Sequence, residues 1–267
     1  RKKEKEYATK NNIQVRDGVS DLAQEVMIER YVVSDLNVNK EFKIGNPLPE
    51  PFNVGEDLNY GGSSLTIDNK HMFVTICKPT KVGGRDYQNC DIYNAHFIPT
   101  ENSEGGLDWS WGNLKNMGPN INNPDSWEAQ PSVSADGNTL FFASARKESE
   151  GIDIYVSVKD KTSGEWLPAK SVGAPINTVL NDKSPFMHND SKTLYYASQG
   201  HLGFGGYDVF YTRFKDGKWS DPKNIGFPIN TKKDEHGFVI NLDGDQVYYS
   251  SDINSEKGKG LDIFTFE

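Results

Sequence analysis

A pattern of about fifty residues occurs four times in this chain, and a self-similar unit of that length restricts the fold more than any single motif. Three copies align without gaps: Gln130-Pro-Ser-Val-Ser-Ala-Asp-Gly-Asn-Thr-Leu-Phe-Phe-Ala-Ser144, Ser184-Pro-Phe-Met-His-Asn-Asp-Ser-Lys-Thr-Leu-Tyr-Tyr-Ala-Ser198 and Gly237-Phe-Val-Ile-Asn-Leu-Asp-Gly-Asp-Gln-Val-Tyr-Tyr-Ser-Ser251. A fourth, Ser63-Ser-Leu-Thr-Ile-Asp-Asn-Lys-His-Met-Phe-Val-Thr75, follows the same plan. Each reads as strand, polar turn, strand. The turn carries Asp68, Asp136, Asp190 or Asp243, and five residues later stands Phe73, Phe141, Tyr195 or Tyr248. Asp and Gly suit the tight turn, and the aromatic fills a half-buried strand face.

Downstream of each hairpin come an acid, a β-branched residue and an aromatic: Asp91-Ile92-Tyr93, Asp153-Ile154-Tyr155, Asp208-Val209-Phe210 and Asp262-Ile263-Phe264. This is a third strand. Trp111, Trp166 and Trp219 follow, each with an Asn eleven residues on, at Asn122, Asn177 and Asn230. The interval reads as a short outer strand tolerant of Pro, then a turn into the next unit. Successive turn Asp residues are 68, 54 and 53 apart, the extra length of the first unit falling in the polar stretch Thr100 to Asp108. Four strands per unit at this period predict an all-β fold, a β-propeller of four-stranded antiparallel blades.

The N-terminus fits the same frame. Phe42 to Asn53 repeats the eleven-residue interval, and Ile28-Glu29-Arg30-Tyr31 stands where a third strand belongs. Residues 1–53 are therefore expected to be the back half of a blade with a loop insertion over 4–27, and 54–267 the four recognisable blades. The chain is expected to be a segment of a longer protein. The alternative is ring closure in which the Phe42 strand completes the last blade.

Composition agrees. Hydrophobic residues make up 35%, aromatics 12%, and there are 25 Gly and 13 Pro, a mixture suited to short strands and many turns rather than a helical bundle. The net charge of −9, with basic residues clustered only at Arg1, Lys2, Lys3 and Lys5, disfavours nucleic acid and anionic membrane surfaces as partners. No apolar run approaches the length that spans a bilayer, so direct membrane insertion is not expected.

Pro131-Ser-Val-Ser-Ala-Asp-Gly-Asn-Thr-Leu-Phe-Phe142, the later Asp-Ile-Tyr and the Gly-x-Pro-Ile-Asn-Thr ending resemble the TolB-type, WD-like propeller repeats of periplasmic proteins. Ser184-Pro-Phe-Met-His188 and Gly200-His-Leu-Gly-Phe-Gly-Gly-Tyr-Asp208 look like the Bacteroidetes version. There the propeller accompanies an OmpA-like peptidoglycan-binding domain, as in the PorE-like lipoproteins of the type IX secretion system. The resemblance covers about residues 28 to 267 and includes no OmpA-like domain. It implies a periplasmic, outer-membrane-associated protein with a protein partner in the cell envelope.

Several constellations deserve weighing as sites. In a propeller the loops after the second and fourth strands share one face, and the longer loops, Lys81 to Gln88, Arg146 to Gly151 and Gln199 to Tyr207, collect there. Eight residues before a turn Asp stand Glu128, Asp182 and Glu235, near the channel mouth; such a ring can coordinate a hard cation or cap neighbouring backbone, and the structural role is preferred. The residues expected to contribute to binding are Arg85, Trp127, Glu128, Arg146, Asp182, His201, Tyr207, Glu235 and His236. Cys77 and Cys90 flank one hairpin and are candidates for a disulfide, which persists only in oxidising compartments; zinc would need two further ligands. The Gly203, Gly205, Gly206 cluster joins two strands rather than opening a helix, so it is read as turn chemistry rather than a phosphate loop.

No nucleophile or metal-protease motif appears, so no catalytic residue, metal or cofactor is assigned. The expected function is a non-enzymatic periplasmic scaffold for protein interaction in envelope assembly or type IX secretion. The alternatives are a carbohydrate or peptidoglycan-fragment binder using Trp109, Trp127 and Tyr207, and a propeller glycoside hydrolase, against which Gly137 directly after Asp136 falls one residue early for the sialidase Asp turn.

Overall fold

A computed structural model describes residues 29–37, 41–82, 85–101, 103–253 and 260–266, without the side chains of 81–87 and 107. The expected loop insertion over 4–27 lies outside them. The described residues form four antiparallel sheets and one two-stranded sheet, with no helix. The N-terminal sheet pairs β1 (Val32–Val33) with β2 (Asn46–Pro47). Blade 1 contains β3 (Asn59–Leu65), β4 (His71–Val82), β5 (Arg85–Glu101), β6 (Leu107–Trp111) and β7 (Lys115–Asn116). Blade 2 contains β8 (Glu128–Val133), β9 (Thr139–Ser144), β10 (Asp153–Val158) and β11 (Lys170–Ser171). Blade 3 contains β12 (Asp182–Met187), β13 (Thr193–Ser198), β14 (Asp208–Lys215), β15 (Lys218–Trp219) and β16 (Lys223–Asn224). Blade 4 contains β17 (Glu235–Ile240), β18 (Val247–Ser251) and β19 (Asp262–Phe266). Among the described residues these four sheets are the blades of a β-propeller, as the repeat predicts, with the two-stranded N-terminal sheet beside them.

The hairpin chemistry is visible at each turn. Asp68 Oδ1 accepts from the Thr66 hydroxyl at 2.6 Å and the Lys70 N–H at 3.0 Å; Asp136 does the same with Ser134 and Asn138 at 2.5 and 3.1 Å. In the last blade Asn241 takes over, its Oδ1 accepting from the N–H groups of Gly244, Asp245 and Gln246. The hydrophobic core is divided between blades. Phe73 of blade 1 packs with Leu140, Phe142 and Tyr155 of blade 2; Phe141 of blade 2 packs with Leu194, Tyr196 and Phe210 of blade 3. The Trp after the third strand closes two seams on the hairpin aromatic of the blade before, Trp166 on Phe73 at 5.9 Å and Trp219 on Phe141 at 6.1 Å between centroids. Their fixed repeat position follows from this packing.

At the end of each unit an Asn side chain stands in for a strand. Asn122 Oδ1 accepts from Ile92 N–H and its Nδ2 donates to Ile92 carbonyl; Asn230 treats Val209 identically. The inner strands β3, β8, β12 and β17 surround an axial cavity of about 410 Å³. Each carries a bulge, at Gly62, Gln130, Ser184 or Gly237. The bulges of Gln130 and Ser184 adopt positive φ, 55° and 51°, and aim an N–H at the preceding blade: Gln130 N–H donates to Thr75 Oγ1 and Ser184 N–H to Gln130 Oε1.

Two expectations change. The stretch Lys81 to Gln88 is not a loop: β4 and β5 continue as a ladder to the Val82 and Arg85 pair, the pairing running on through polar residues on either side of Gly83-Gly84. The outer strands are only two residues long, because Pro and Gly punctuate the intervals after Trp111, Trp166 and Trp219, and in blades 1 and 3 the third strand continues past the core into a second hairpin with β6 or β15. Phe42 lies against Tyr248 of blade 4 at 5.8 Å, yet β2 pairs with β1 rather than with β19.

Candidate functional site

The buried acids come first, because they decide what the channel mouth can do. Glu128, Asp182 and Glu235 are each completely buried. Glu128 accepts from Asn123 N–H at 2.9 Å, Ser126 Oγ at 2.5 Å and Ser144 Oγ at 2.7 Å, with the Arg146 guanidinium at 3.4 Å. Asp182 accepts from Thr178 N–H and hydroxyl, and Glu235 from Thr231 N–H, Thr231 hydroxyl and Ser251 hydroxyl. Each acid caps the turn that delivers its own strand to the axis, Asp182 through Oδ2, while its buried Oδ1 has no partner among the described residues. Arg146 is likewise spent, donating to Ile121 carbonyl at 2.6 Å and lying over the Tyr155 ring at 4.6 Å. Burial raises the pKa of Asp182 and of Asp153 in the adjoining blade.

His201 packs inside its loop, its Nε2 2.9 Å from Tyr196 hydroxyl and 3.3 Å from Ile176 carbonyl. Trp127 lines a separate surface groove with Pro124, Asp125 and Lys147. The side chain of Arg85 lies outside the described residues. Tyr207 and His236, by contrast, come together where blades 3 and 4 meet, rings 6.2 Å apart and edge to face.

Two residues that sequence reasoning passed over complete this cluster. Lys183 places its ammonium 3.9 Å from the Tyr207 ring centroid, and Asp234 Oδ1 accepts from Tyr207 N–H at 2.8 Å. Both had a legible signal: each is next in sequence to a singled-out acid, and alternation along a strand turns the neighbour of an inward acid toward the adjoining blade. Burial, then the charge of Lys183, depresses His236 to about 4, so its imidazole is neutral at pH 7. Burial also lowers Lys183 and pushes Tyr207 up to about 12. Lys183 is held by a cation–π contact rather than an ion pair. His236 also lines the axial cavity.

Around this mouth the loops are tightly fitted and apolar at their tips. A Cβ at Gly200 would strike the Thr178 side chain, and one at Gly205 would strike the carbonyls of Thr231 and Lys233, so the Gln199–Tyr207 loop is wedged between its neighbours. Leu202 is 96% exposed, Val179 70% and Phe204 60%, on two adjoining loops of this face.

On the opposite face His71 and His96 stack at 3.9 Å, with His71 Nε2 buried and without a partner. Cys77 and Cys90 stand directly opposite each other on β4 and β5 and are disulfide-bonded. Among the described residues no three His, Cys, Asp or Glu side chains are gathered to hold a metal ion.

No family model and no curated protein matches this chain. Solved structures resemble it at low identity. A puromycin-hydrolyzing peptidase of Mycobacterium tuberculosis matches at 13% identity and a TM-score of 0.46, over 90% of this chain and 36% of the peptidase, so the chain spans about a third of that protein. A candidate TolB of Agrobacterium tumefaciens matches at 13% identity and a TM-score of 0.43, over 78% of this chain and 76% of that one. A glycoside hydrolase matches at 10% identity and a TM-score of 0.45, over 79% and 71%. These likenesses span hydrolases and a TolB alike, and the class of the protein, a β-propeller, rests on the strand order given above.

Proposed function

We propose that this propeller is a non-catalytic interaction module of the cell envelope, and that it engages a partner protein through the loop-rich face where blades 3 and 4 meet. The observation that carries the reading is the exposure of Leu202, Val179 and Phe204 on close-fitted loops of one face. Large apolar side chains held out on a rigid scaffold mark protein–protein contact surfaces. The Lys183, Tyr207, His236 and Asp234 cluster beside them supplies polar groups that fix orientation. The acids at the channel mouth hold turns through hydrogen bonds from Ser126, Thr178 and Thr231, a structural role that fits a scaffold.

The Cys77–Cys90 disulfide supports an oxidising, extracytoplasmic location. The likeness of the repeats to Bacteroidetes envelope propellers supports a role in envelope assembly or type IX secretion, with outer-membrane association. The test is crosslinking in the envelope of the native host followed by mass spectrometry. Recovery of outer-membrane or secretion-system proteins, lost when Leu202 and Phe204 are changed to Ser, supports the proposal. Hydrolysis of a supplied oligosaccharide, or adducts with glycan alone, overturns it.

A further inference from the structure

The residue that leads each repeat into its inner strand has a fixed task. Asn59 Oδ1 accepts from Glu29 N–H at 3.0 Å, Asn181 Oδ1 from Ile152 N–H at 2.9 Å and Asp234 Oδ1 from Tyr207 N–H at 2.8 Å, each reaching the preceding unit. At the seam between blades 1 and 2 the corresponding residue, directly before Glu128, is Trp127, and an indole has no acceptor to offer. The residue it would hold, Cys90, is fixed instead by its pairing and disulfide with Cys77. A local rule broken at one seam, with its structural work done by other means, marks a position free for another role.

Trp127, partly exposed, lines a groove of about 440 Å³, a volume within the range of small-molecule sites. On the blade 1 side stand Thr80 and Asn89. They belong to the part of the β4–β5 ladder that runs past the disulfide to Val82 and Arg85, an arm that the corresponding ladders of blades 2 and 3 lack, since these end at Ser144–Asp153 and Ser198–Asp208. On the blade 2 side stand Asp125 and Lys147. The tryptophan is held on a firm base: its carbonyl accepts from Ala145 N–H at 3.1 Å, and the Ser126 hydroxyl beside it donates to Glu128 at 2.5 Å. Every lining residue belongs to blades 1 and 2 or the turn between them, whereas Glu29, where the described residues begin, is bonded to Asn59, and Ile253 and Gly260 flank the strands of blade 4.

We propose that this groove binds a neutral oligosaccharide, one ring of which stacks on Trp127 while Asp125 and Lys147 bond its hydroxyls. A pyranose has an apolar C–H face and a rim of hydroxyls, which matches a flat, amphipathic indole edged by a carboxylate, an ammonium and the Thr80 hydroxyl. The preference for a neutral sugar follows from charge. Asp125 Oδ2 and Lys147 Nζ lie 3.1 Å apart and are both exposed, so their charges offset at the rim, while the whole chain carries −9 and repels anions. The groove lies at a different seam from the Leu202 patch, so the proposal does not rest on the protein-binding reading and the two fail independently.

The test titrates the whole chain calorimetrically with soluble hexasaccharides of glucose, mannose, galactose and N-acetylglucosamine, and with oligogalacturonate as the anionic comparison. Saturable binding of at least one neutral sugar is expected. Trp127→Ala should weaken it at least about tenfold and Trp127→Phe by less. Asp125→Ala and Lys147→Ala, both at exposed sites, should weaken it while leaving the urea midpoint in place, and they decide the matter if Trp127→Ala does not fold. Absence of saturable binding by every neutral sugar at millimolar concentration overturns the proposal. So does binding that these substitutions leave unchanged, or a preference for the anionic oligogalacturonate.

Discussion

The Asn177 carboxamide grips Ile154 at both ends, its Oδ1 accepting the N–H and its Nδ2 donating to the carbonyl, each at 2.9 Å. One side chain thereby closes the edge of the third strand where the outer strand has ended. Removing it in Asn177→Ala strands two backbone groups of a buried residue, at about 1 to 3 kcal/mol for each group left unsatisfied. A loss of about 2 to 4 kcal/mol in urea unfolding is expected, and Asn177→Asp, which keeps the acceptor and removes the donor, should lose at least half of it.

Phe141 is 4% exposed and bears the Trp219 ring across the seam between blades 2 and 3. Phe141→Ala removes a buried aromatic and leaves a cavity, an expected loss of about 3 to 5 kcal/mol in denaturant titration. A loss under about 1 kcal/mol would contradict the packing described.

The Cys77–Cys90 bond closes a short loop, 13 residues apart, within one ladder. Loop-closure entropy at this length corresponds to about 3 kcal/mol. The Cys77→Ser, Cys90→Ser chain should unfold at correspondingly lower urea, and a reductant should destabilise the natural chain while leaving the double variant unchanged.

His71 and His236 are both held at about 4 against an ordinary 6.5, by burial first, then by the charge of His96 and of Lys183 respectively. Each is neutral when folded and protonated when unfolded between these values. Unfolding therefore takes up protons, and stability falls as pH drops from about 6.5 to about 4, then levels with respect to these two groups. Asp153 and Asp182, raised by burial, contribute with the opposite sign above the ordinary carboxylate range. The His contribution is isolated by comparing the natural chain with His71→Asn, His236→Asn in urea at pH 7 and pH 5: the double variant should lose less on acidification. An equal loss in both would contradict the assignment.

The blades were legible in the sequence because the turn Asp and the aromatic five residues later are tied together by local geometry: the turn sets the register and the register decides which ring faces the seam. The Trp and Asn positions are legible for the same reason, because they bound one interval of fixed length, Trp111 to Asn122 and Trp166 to Asn177. What could not be read was the outcome of contacts between units. Glu128, Asp182 and Glu235 recur like site residues, yet their partners Ser126, Thr178 and Thr231 lie in turns whose paths depend on the adjoining blade. Lys183 and Asp234 each adjoin a singled-out acid in sequence, but their meeting with Tyr207 depends on the seam between blades 3 and 4. The Lys81 to Gln88 stretch reads as a loop in sequence because its polar composition resembles one even where pairing continues.

The proposed protein-binding surface is the face bearing Leu202. The most direct measurement places a photoreactive residue at Leu202 and, as control, at Thr162 in the turn between β10 and β11, and irradiates cells of the native host. A discrete protein adduct from position 202 and none from 162 is expected. Adducts of equal yield from both positions, or none from 202 in cells where the protein is present, would contradict it.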